Sequence, residues 1–245
     1  MGLVCRSLPS CDDGGMVEVV SVNIGAVEQL PHGRTTVSTA IRKLPVTGPV
    51  RITATAVVGD AQADAKHHGG PDKAVLVFSL DQYPTLERHI GREVAVPSFG
   101  ENLTVTGASE LDTCLGDTIR IGTALLQVSQ PRNPCYKQAA LHRVKDLVVH
   151  IERSGATGWY VRVLEPGLVT AGDEVVVVSR PYPGVTVAEV NRVLHPLDGG
   201  VVDLERIHRL LEVPELAANL RHHLERLAQG DVADPRSRRL GPPQA

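Results

Sequence analysis

The stretch QVSQPRNPCYKQ (residues 127–138) combines one cysteine with two cations and two prolines. The prolines fix the backbone and remove hydrogen-bond donors, so we expect a stiff loop that is not part of a central strand. Arg132 and Lys137 flank Cys135, and nearby positive charge favours a thiolate, the form that attacks electrophiles or binds soft metals. Cys135 is therefore a candidate nucleophile or metal ligand, although free cysteines also occur as small buried hydrophobic residues.

A second candidate site is DAKHHGGPDKAV (residues 64–75). Two glycines after a histidine pair allow a backbone that leaves amide donors free for an anion, and Lys73 adds positive charge. A tight loop between strands with solvated side chains would explain the same residues. Zinc binding by His67 and His68 is not favoured, because the paired spacing of a structural zinc motif is missing.

Two further segments carry polar residues beside predicted strands. In SFGENLTVTG, Glu101 and Asn102 are placed either to orient a polar ligand or to cap a turn. In GATGWYVRVL, Trp159 is expected in the core, while Arg162 lies in an otherwise apolar strand. Arg162 therefore needs an anionic partner or solvent.

The elements that must position these residues are mainly short strands. VRITATAVV (residues 50–58) alternates apolar and polar residues with the two-residue period of a half-buried strand. Gly-rich turns separate similar runs, which predict strands at 74–78, 102–106, 118–122, 124–129, 158–164 and 174–179. This pattern predicts a mainly β domain, an antiparallel barrel or sandwich, over residues 16–180.

The pattern becomes helical after residue 180. Thr186 and Glu189 form a capping box, and apolar residues repeat at helical spacing over 186–194, over 204–211 and from Pro214 onward. Residues 181–230 are thus expected to form a small three-helix domain. We expect residues 1–15 to be a disordered N-terminal extension, with Met16 as an alternative translation start, and the polar, Pro-rich residues 231–245 to be a disordered tail.

Composition excludes several classes of protein. The chain has 245 residues, a formal net charge of -3 and 42% hydrophobic residues, which argues against disorder and against a broad nucleic-acid footprint. No apolar run is long enough to cross a bilayer. Four irregularly spaced cysteines without a secretion signal favour reduced thiols in a cytoplasmic protein. Flavin and nicotinamide fingerprints are missing as well.

Taken in order, these motifs resemble the MOSC family, named for the C-terminal domain of molybdenum cofactor sulfurases, and within it the YiiM-like branch. The matching stretches are VEVVSVNIG, TAIRKLPVTGPV, GDAQADAKHHGGPDKAV, FGENLTV, LGDTIRIG, LLQVSQPRNPCYK, TGWYVRVLEPGLVTAGDEV and VSRP. The resemblance implies a MOSC-type β-barrel with a cleft for the molybdenum cofactor, a pterin dithiolene that carries Mo, and a small C-terminal three-helix domain.

The resemblance also implies roles for individual residues. Cys135 would be the thiolate ligand of the metal and the catalytic residue. A positive wall would bind the cofactor, with contributions from His68, Lys73, Arg132 and Lys137 and from two less typical members, Asn102 and Arg162. One departure from the family pattern is Gln138, which stands where relatives commonly have leucine.

The implied activity is the reduction of N-hydroxylated small molecules, such as hydroxylamino-purine base analogues, to amines. A separate reductase would supply electrons, and the three-helix domain would either dock that reductase or only stabilise the barrel. We expect neither nucleic acid nor a membrane as a partner, and either a monomer or a homodimer. The alternative is a carrier of the molybdenum cofactor, or of persulfide sulfur on Cys135, without turnover. A metal-free thiol sensor is a third hypothesis.

Overall fold

The computed structural model describes residues 16–63, 69–196, 202–232 and 234–241. The predicted N-terminal extension, His67 and His68 lie outside these ranges. The strands are β1 (Glu18–Ile24), β2 (Glu28–His32), β3 (Thr35–Thr39), β4 (Leu44–Val46), β5 (Val50–Ile52), β6 (Val75–Ser79), β7 (Leu103–Thr106), β8 (Thr118–Ile121), β9 (Ala124–Pro131), β10 (Trp159–Glu165), β11 (Gly167–Val169) and β12 (Val175–Ser179). The α-helices are α1 (Tyr83–Ile90), α2 (Tyr136–His142), α3 (Leu147–Ser154), α4 (Val187–Leu194), α5 (Leu204–Leu211), α6 (Ala218–Ala228) and α7 (Arg236–Leu240).

Eight strands form one sheet in the order β12-β8-β9-β10-β6-β7-β1-β4, and β11-β5 and β2-β3 form two-stranded ribbons. All pairs in the large sheet are antiparallel except β6 with β7, which is parallel. The sheet curls until β1 meets the start of β12. There Val19 N donates to Asp173 O at 2.9 Å and Val175 N donates to Val17 O at 2.8 Å. The predicted β-barrel is confirmed.

Two strand predictions need correction. The predicted strand 50–58 is a three-residue strand followed by a tight turn, in which the Thr53 hydroxyl donates to Ala56 O at 2.9 Å and the chain reverses. The strand predicted over 124–129 is confirmed but extends through Pro131, so the first residues of the expected stiff loop are the end of the central strand β9. Pro131 is the last residue of that strand, a position where its missing N–H interrupts little of the ladder.

The three predicted C-terminal helices are confirmed as α4, α5 and α6. The Thr186 side chain accepts from Glu189 N at 3.1 Å, which is one half of the predicted capping box, while the Glu189 carboxylate accepts from Arg192 and Arg209. The third helix begins at Ala218 and not at Pro214. Their apolar faces do not form a separate core. Ile207 and Leu224 belong to the same buried cluster as the barrel residues Val128 and Leu126, so helices and barrel stabilise one another.

Two features were not predicted. Helices α1, α2 and α3 interrupt the barrel sequence, where the strand pattern indicated little helix. Part of the tail expected to be disordered, residues 236–240, forms helix α7. That expectation is wrong for α7 because its arginines pair with the buried Glu152 on α3, a contact between distant parts of the chain. Within the described ranges, no helix is long and apolar enough to span a membrane.

Candidate functional site

The Cys135 loop links the end of β9 to the start of α2. Arg132 N donates to Gly158 O at 3.0 Å, which ties the loop to the residue before β10. Cys135 itself has an extended backbone (φ -136, ψ 164), and its carbonyl accepts from Gln138 N at 3.0 Å in the first turn of α2. The thiol is partly exposed. The loop therefore presents Cys135 from a position that a strand and a helix fix at both ends.

Cys135 lines an open cavity with polar and apolar walls. Four of the other predicted site residues line the same cavity, namely Lys73, Asn102, Arg132 and Lys137. They come from segments up to 64 residues apart in the chain, from Lys73 to Lys137. The structure thus brings together five of the seven predicted residues, whose functional roles stay predictions.

The other two predicted residues are not part of this wall. His68 lies outside the described ranges. Arg162 does not line the cavity. Its Nε donates to Asp72 Oδ1 at 2.9 Å and its Nη1 donates to Gln127 Oε1 at 3.1 Å. The anionic partner that an arginine in an apolar strand needs is therefore Asp72, and the structure separates Arg162 from the candidate cofactor contacts.

Arg132 is the most deeply buried cation of the cavity, with 4% of its surface exposed. When the Gln138 amide is assigned with its oxygen toward the guanidinium group, that oxygen accepts from Nη1 and, at 3.3 Å, from Nη2. No described residue accepts from the Nε–H group. Since a buried donor without a partner is costly, this site favours a ligand that offers an anionic oxygen. Gln138, the departure from the family pattern, is a direct neighbour of Arg132.

The remaining charges make the cavity electropositive. Lys137 reaches from α2 to β3, where its Nζ donates to Ser38 O at 3.1 Å. Lys73 ends a short 3₁₀ helix, Pro71–Lys73. The described lining residues include one carboxylate, Asp60, and four cations, Lys43, Lys73, Arg132 and Lys137. This balance favours an anionic ligand, since charge complementarity steers and holds such ligands.

Sequence analysis missed the pair Lys43 and Asp60. Asp60 accepts from Lys43 Nζ, from Gly25 N at 2.8 Å and from Asn102 Nδ2 at 2.8 Å. Burial lowers the pKa of Lys43, and the charge of Asp60 only partly offsets that effect. Both residues lie in stretches that match the family, TAIRKLPVTGPV and GDAQADAKHHGGPDKAV. Nothing in the sequence pairs them, because they are 17 positions apart and meet only in the folded chain.

Asn102 lines the cavity and also bonds to Asp60 of the Lys43–Asp60 pair. Its Oδ1 accepts from Leu76 N at 3.1 Å, and its Nδ2 donates to Asp60 and, at 3.3 Å, to Asn23 O. The amide is therefore engaged by protein groups on both sides. Asn102 positions Asp60 and holds β6 beside the cavity wall.

Two neighbouring polar residues have defined roles. Glu101 does not line the cavity; it accepts from Phe99 N at 2.9 Å and from the Tyr83 hydroxyl, so it caps a turn, as one of the two hypotheses held. Tyr160 lines the cavity. Burial raises the pKa of Tyr160, and the charge of Arg132 only partly lowers it again, so the phenol keeps its proton near neutral pH.

The residues present fit a molybdenum cofactor. Within the described ranges, no group of three or more His, Cys, Asp or Glu side chains could hold a metal ion. A pterin dithiolene carries sulfur ligands of its own for the metal, so the Cys135 thiolate would add one more, and thiolates suit soft metals. The unpartnered Arg132 Nε and the surrounding lysines suit the phosphate arm of such a cofactor.

Comparisons with known proteins agree with this architecture. Residues 64–176 match the family model described as MOSC domain. Protein YiiM of Escherichia coli (strain K12) is 33% identical over 224 residues, which cover 90% of this chain and 97% of that protein. The crystal structure of YiiM from Geobacillus stearothermophilus is 31% identical, with a TM-score of 0.73 over 86% of this chain and 99% of that one.

A Gibberella moniliformis (strain M3125 / FGSC 7600) protein named "Reductase" is also similar. It is 36% identical over 162 residues, which cover 64% of this chain and 29% of that longer protein. Relatedness to the bacterial proteins extends over nearly their whole length. The chain therefore belongs to the MOSC domain family and is related to YiiM along both the barrel and the helical segment.

Proposed function

We propose that the chain is a molybdenum-cofactor-dependent oxidoreductase that reduces N-hydroxylated small molecules to amines. The observation that supports this most directly is the partly exposed thiol of Cys135 in a cavity whose charged lining residues are mainly positive. A relative of part of the chain carries the name "Reductase", which favours redox chemistry over transport.

In this proposal, Cys135 anchors the metal through its sulfur. Arg132, Lys73 and Lys137 bind the anionic part of the cofactor. The bound cofactor would supply two electrons, one pair for each nitrogen–oxygen bond that is broken. The overall reaction consumes two protons, with R–NHOH + 2 H⁺ + 2 e⁻ giving R–NH₂ + H₂O.

Two cavity residues hold protons at defined atoms. Tyr160 keeps a proton on its hydroxyl because burial raises its pKa. Lys43 holds protons on Nζ beside Asp60, and its lowered pKa brings the ammonium group closer to the range in which it can release one. Both line the same cavity as Cys135. Lys43 is the candidate proton donor for the leaving oxygen, because the raised pKa of Tyr160 makes its phenol a weaker acid.

The proposed reaction needs an external source of electrons and a reducing location. Because no flavin or nicotinamide fingerprint is present in the sequence, electrons come from a separate reductase. A cytoplasmic location keeps Cys135 reduced and places the protein with N-hydroxylated purine-type substrates. A monomer and a homodimer both agree with this scheme.

The first experiment measures molybdenum and oxidised-pterin content in protein from cells able to make the cofactor. Cys135→Ser should lose both while its circular dichroism spectrum stays unchanged. The matched control is Cys114→Ser, since Cys114 is buried, donates to Pro183 O at 3.4 Å and does not line the cavity. This control should keep the cofactor. Retention of molybdenum by Cys135→Ser would refute the ligand assignment.

The second measurement follows turnover of an N-hydroxylated purine with reduced viologen as the electron donor. Wild type should form the amine, and Cys135→Ser should not. Stoichiometric cofactor without turnover by any N-hydroxylated compound would instead favour the carrier function. Absence of cofactor from all variants, even after reconstitution, would favour a persulfide carrier or a thiol sensor.

A further inference from the structure

The C-terminal strap, defined here as residues 234–241, lies against the Cys135 loop. Arg238 Nη1 donates to the carbonyl of Pro134 at 2.6 Å, directly before the cysteine. On the other side of the cysteine, a Cβ at Gly241 would lie 2.8 Å from Cδ2 of Tyr136. The strap therefore touches both chain neighbours of Cys135 without lining the cavity itself.

A buried carboxylate holds the strap in place. Arg238 Nη1 lies 2.6 Å from Glu152 Oε1, and Arg239 Nη2 lies 2.6 Å from Glu152 Oε2. The Glu152 side chain is 2% exposed, on α3. Burial alone raises the pKa of Glu152, but the hydrogen bond from Arg239 and the charge of Arg238 outweigh it and lower that pKa.

Among the residues that the structure describes, the two arginines are the cations that pair with Glu152. His195 also faces Glu152, but burial lowers the pKa of His195 to about 4, so it is neutral near neutral pH. Release of the strap would thus leave an uncompensated charge inside the protein, which is strongly unfavourable. The docked strap therefore stabilises α3, the helix that follows α2 in the chain.

We propose that Arg238 and Glu152 are positioning residues for Cys135, and that the C-terminal strap fixes the loop that presents the thiol. Glu152 holds the guanidinium group of Arg238, which in turn holds the Pro134 carbonyl. The contacts stand independently of the cofactor. Only their consequence for catalysis rests on the function proposed above.

The test measures how fast iodoacetamide alkylates Cys135 in the full-length, cofactor-free protein. The alkylated peptide is quantified by mass spectrometry, and Cys114 in the same digest reports global unfolding because it is buried. Arg238→Met should raise the rate constant at Cys135 by about tenfold, the effect of losing one charge-assisted hydrogen bond, and leave the rate at Cys114 unchanged.

Three variants complete the comparison. Arg239→Met removes the Nε and Nη2 contacts to Glu152 but no contact to Pro134, so its effect should be smaller. Arg238→Lys keeps a donor and a charge and should restore part of the protection. The matched control is Arg236→Met, because Arg236 lies on the same helix, is 83% exposed and pairs only weakly with Asp234, at 3.8 Å; it should behave as wild type.

Two outcomes would overturn the proposal. Equal rates in Arg238→Met and Arg236→Met would show that the strap does not restrain the loop. A parallel increase at Cys135 and Cys114 would show a loss of overall stability and no positioning role. Neither readout involves molybdenum or turnover, so failure here is distinct from failure of the proposed function. In cofactor-loaded protein, Arg238→Met should lower molybdenum occupancy at unchanged circular dichroism.

Discussion

Replacement of Asp60 by asparagine tests whether the cavity wall depends on a buried ion pair. Asp60 and Lys43 side chains are both less than a tenth exposed, at 7% and 6%. Removing one partner of a buried pair typically costs about 3–5 kcal/mol, because the other charge is left uncompensated. An asparagine oxygen in the place of Oδ1 still accepts from Gly25 N and Lys43 Nζ, but the amide group then turns a donor toward Asn102 Nδ2. We therefore expect Asp60→Asn to lower the free energy of unfolding by about 3 kcal/mol near neutral pH.

The loss should shrink as the pH rises. Folding already lowers the pKa of Lys43 below the ordinary lysine value of 10.5, and removal of Asp60 takes away a charge that raises it. Between the folded and unfolded pKa values, the unfolded state binds more protons, so stability increases with pH. The penalty is complete below the folded pKa and disappears toward 10.5, and this window is wider in Asp60→Asn than in wild type.

Urea denaturation at about pH 7 and about pH 9.5 provides the assay, since it measures the free energy of unfolding at each pH. The control is the double variant Lys43→Met/Asp60→Asn, which lacks the titrating ammonium group. It should lose the extra pH dependence and be less destabilised near neutral pH than Asp60→Asn. The reasoning is wrong if Asp60→Asn shows the same loss at both pH values, or if the double variant keeps the slope.

Two further predictions concern buried polar groups around the site. Gln138→Leu removes the amide oxygen that accepts from Arg132. The free energy of unfolding from urea titration should therefore fall by about 1.5–3 kcal/mol. An unchanged value would mean that water or another residue satisfies Arg132. Burial raises the pKa of Glu110, although Gly158 N and Gln82 Nε2 donate to it. Between 4.5 and the raised pKa, the folded state binds a proton on Glu110 that the unfolded state does not, so this carboxyl group stabilises the wild type more as the pH falls through that range. Glu110→Gln should abolish this pH-dependent contribution to stability in a pH series of thermal melts.

The strand pattern predicted most of the barrel because alternation is a local property of the chain. Runs such as 118–122 and 174–179 lie within about one residue of β8 and β12. The failure at 50–58 has a local cause as well: the Thr53 side chain closes a turn inside an alternating run. Periodicity reports which face a side chain takes, but it does not show where a chain reverses within the run.

The site was predictable only in part, for a different reason. Cys135, Arg132 and Lys137 share one short motif, so sequence placed them together. The contacts that complete the site link distant residues: Lys43 with Asp60, and Arg238 with Glu152, which is 86 positions earlier in the chain. Such pairs leave no periodic or spacing signal. The arginine-rich, Pro-flanked tail therefore indicated disorder, because the sequence does not show that its arginines pair with the buried Glu152.

The shared core changes how the role of the helical segment must be tested. Removing everything after Tyr182 would take Ile207, Leu216 and Leu224 out of the cluster that contains Val128 on β9, and β9 leads directly into the Cys135 loop. It would also remove the strap and leave Glu152 without its arginines. Loss of activity after such a truncation would follow from damage to the barrel alone. A docking role for the helices can be separated from stabilisation only by substitutions of exposed side chains that leave this core and the strap intact.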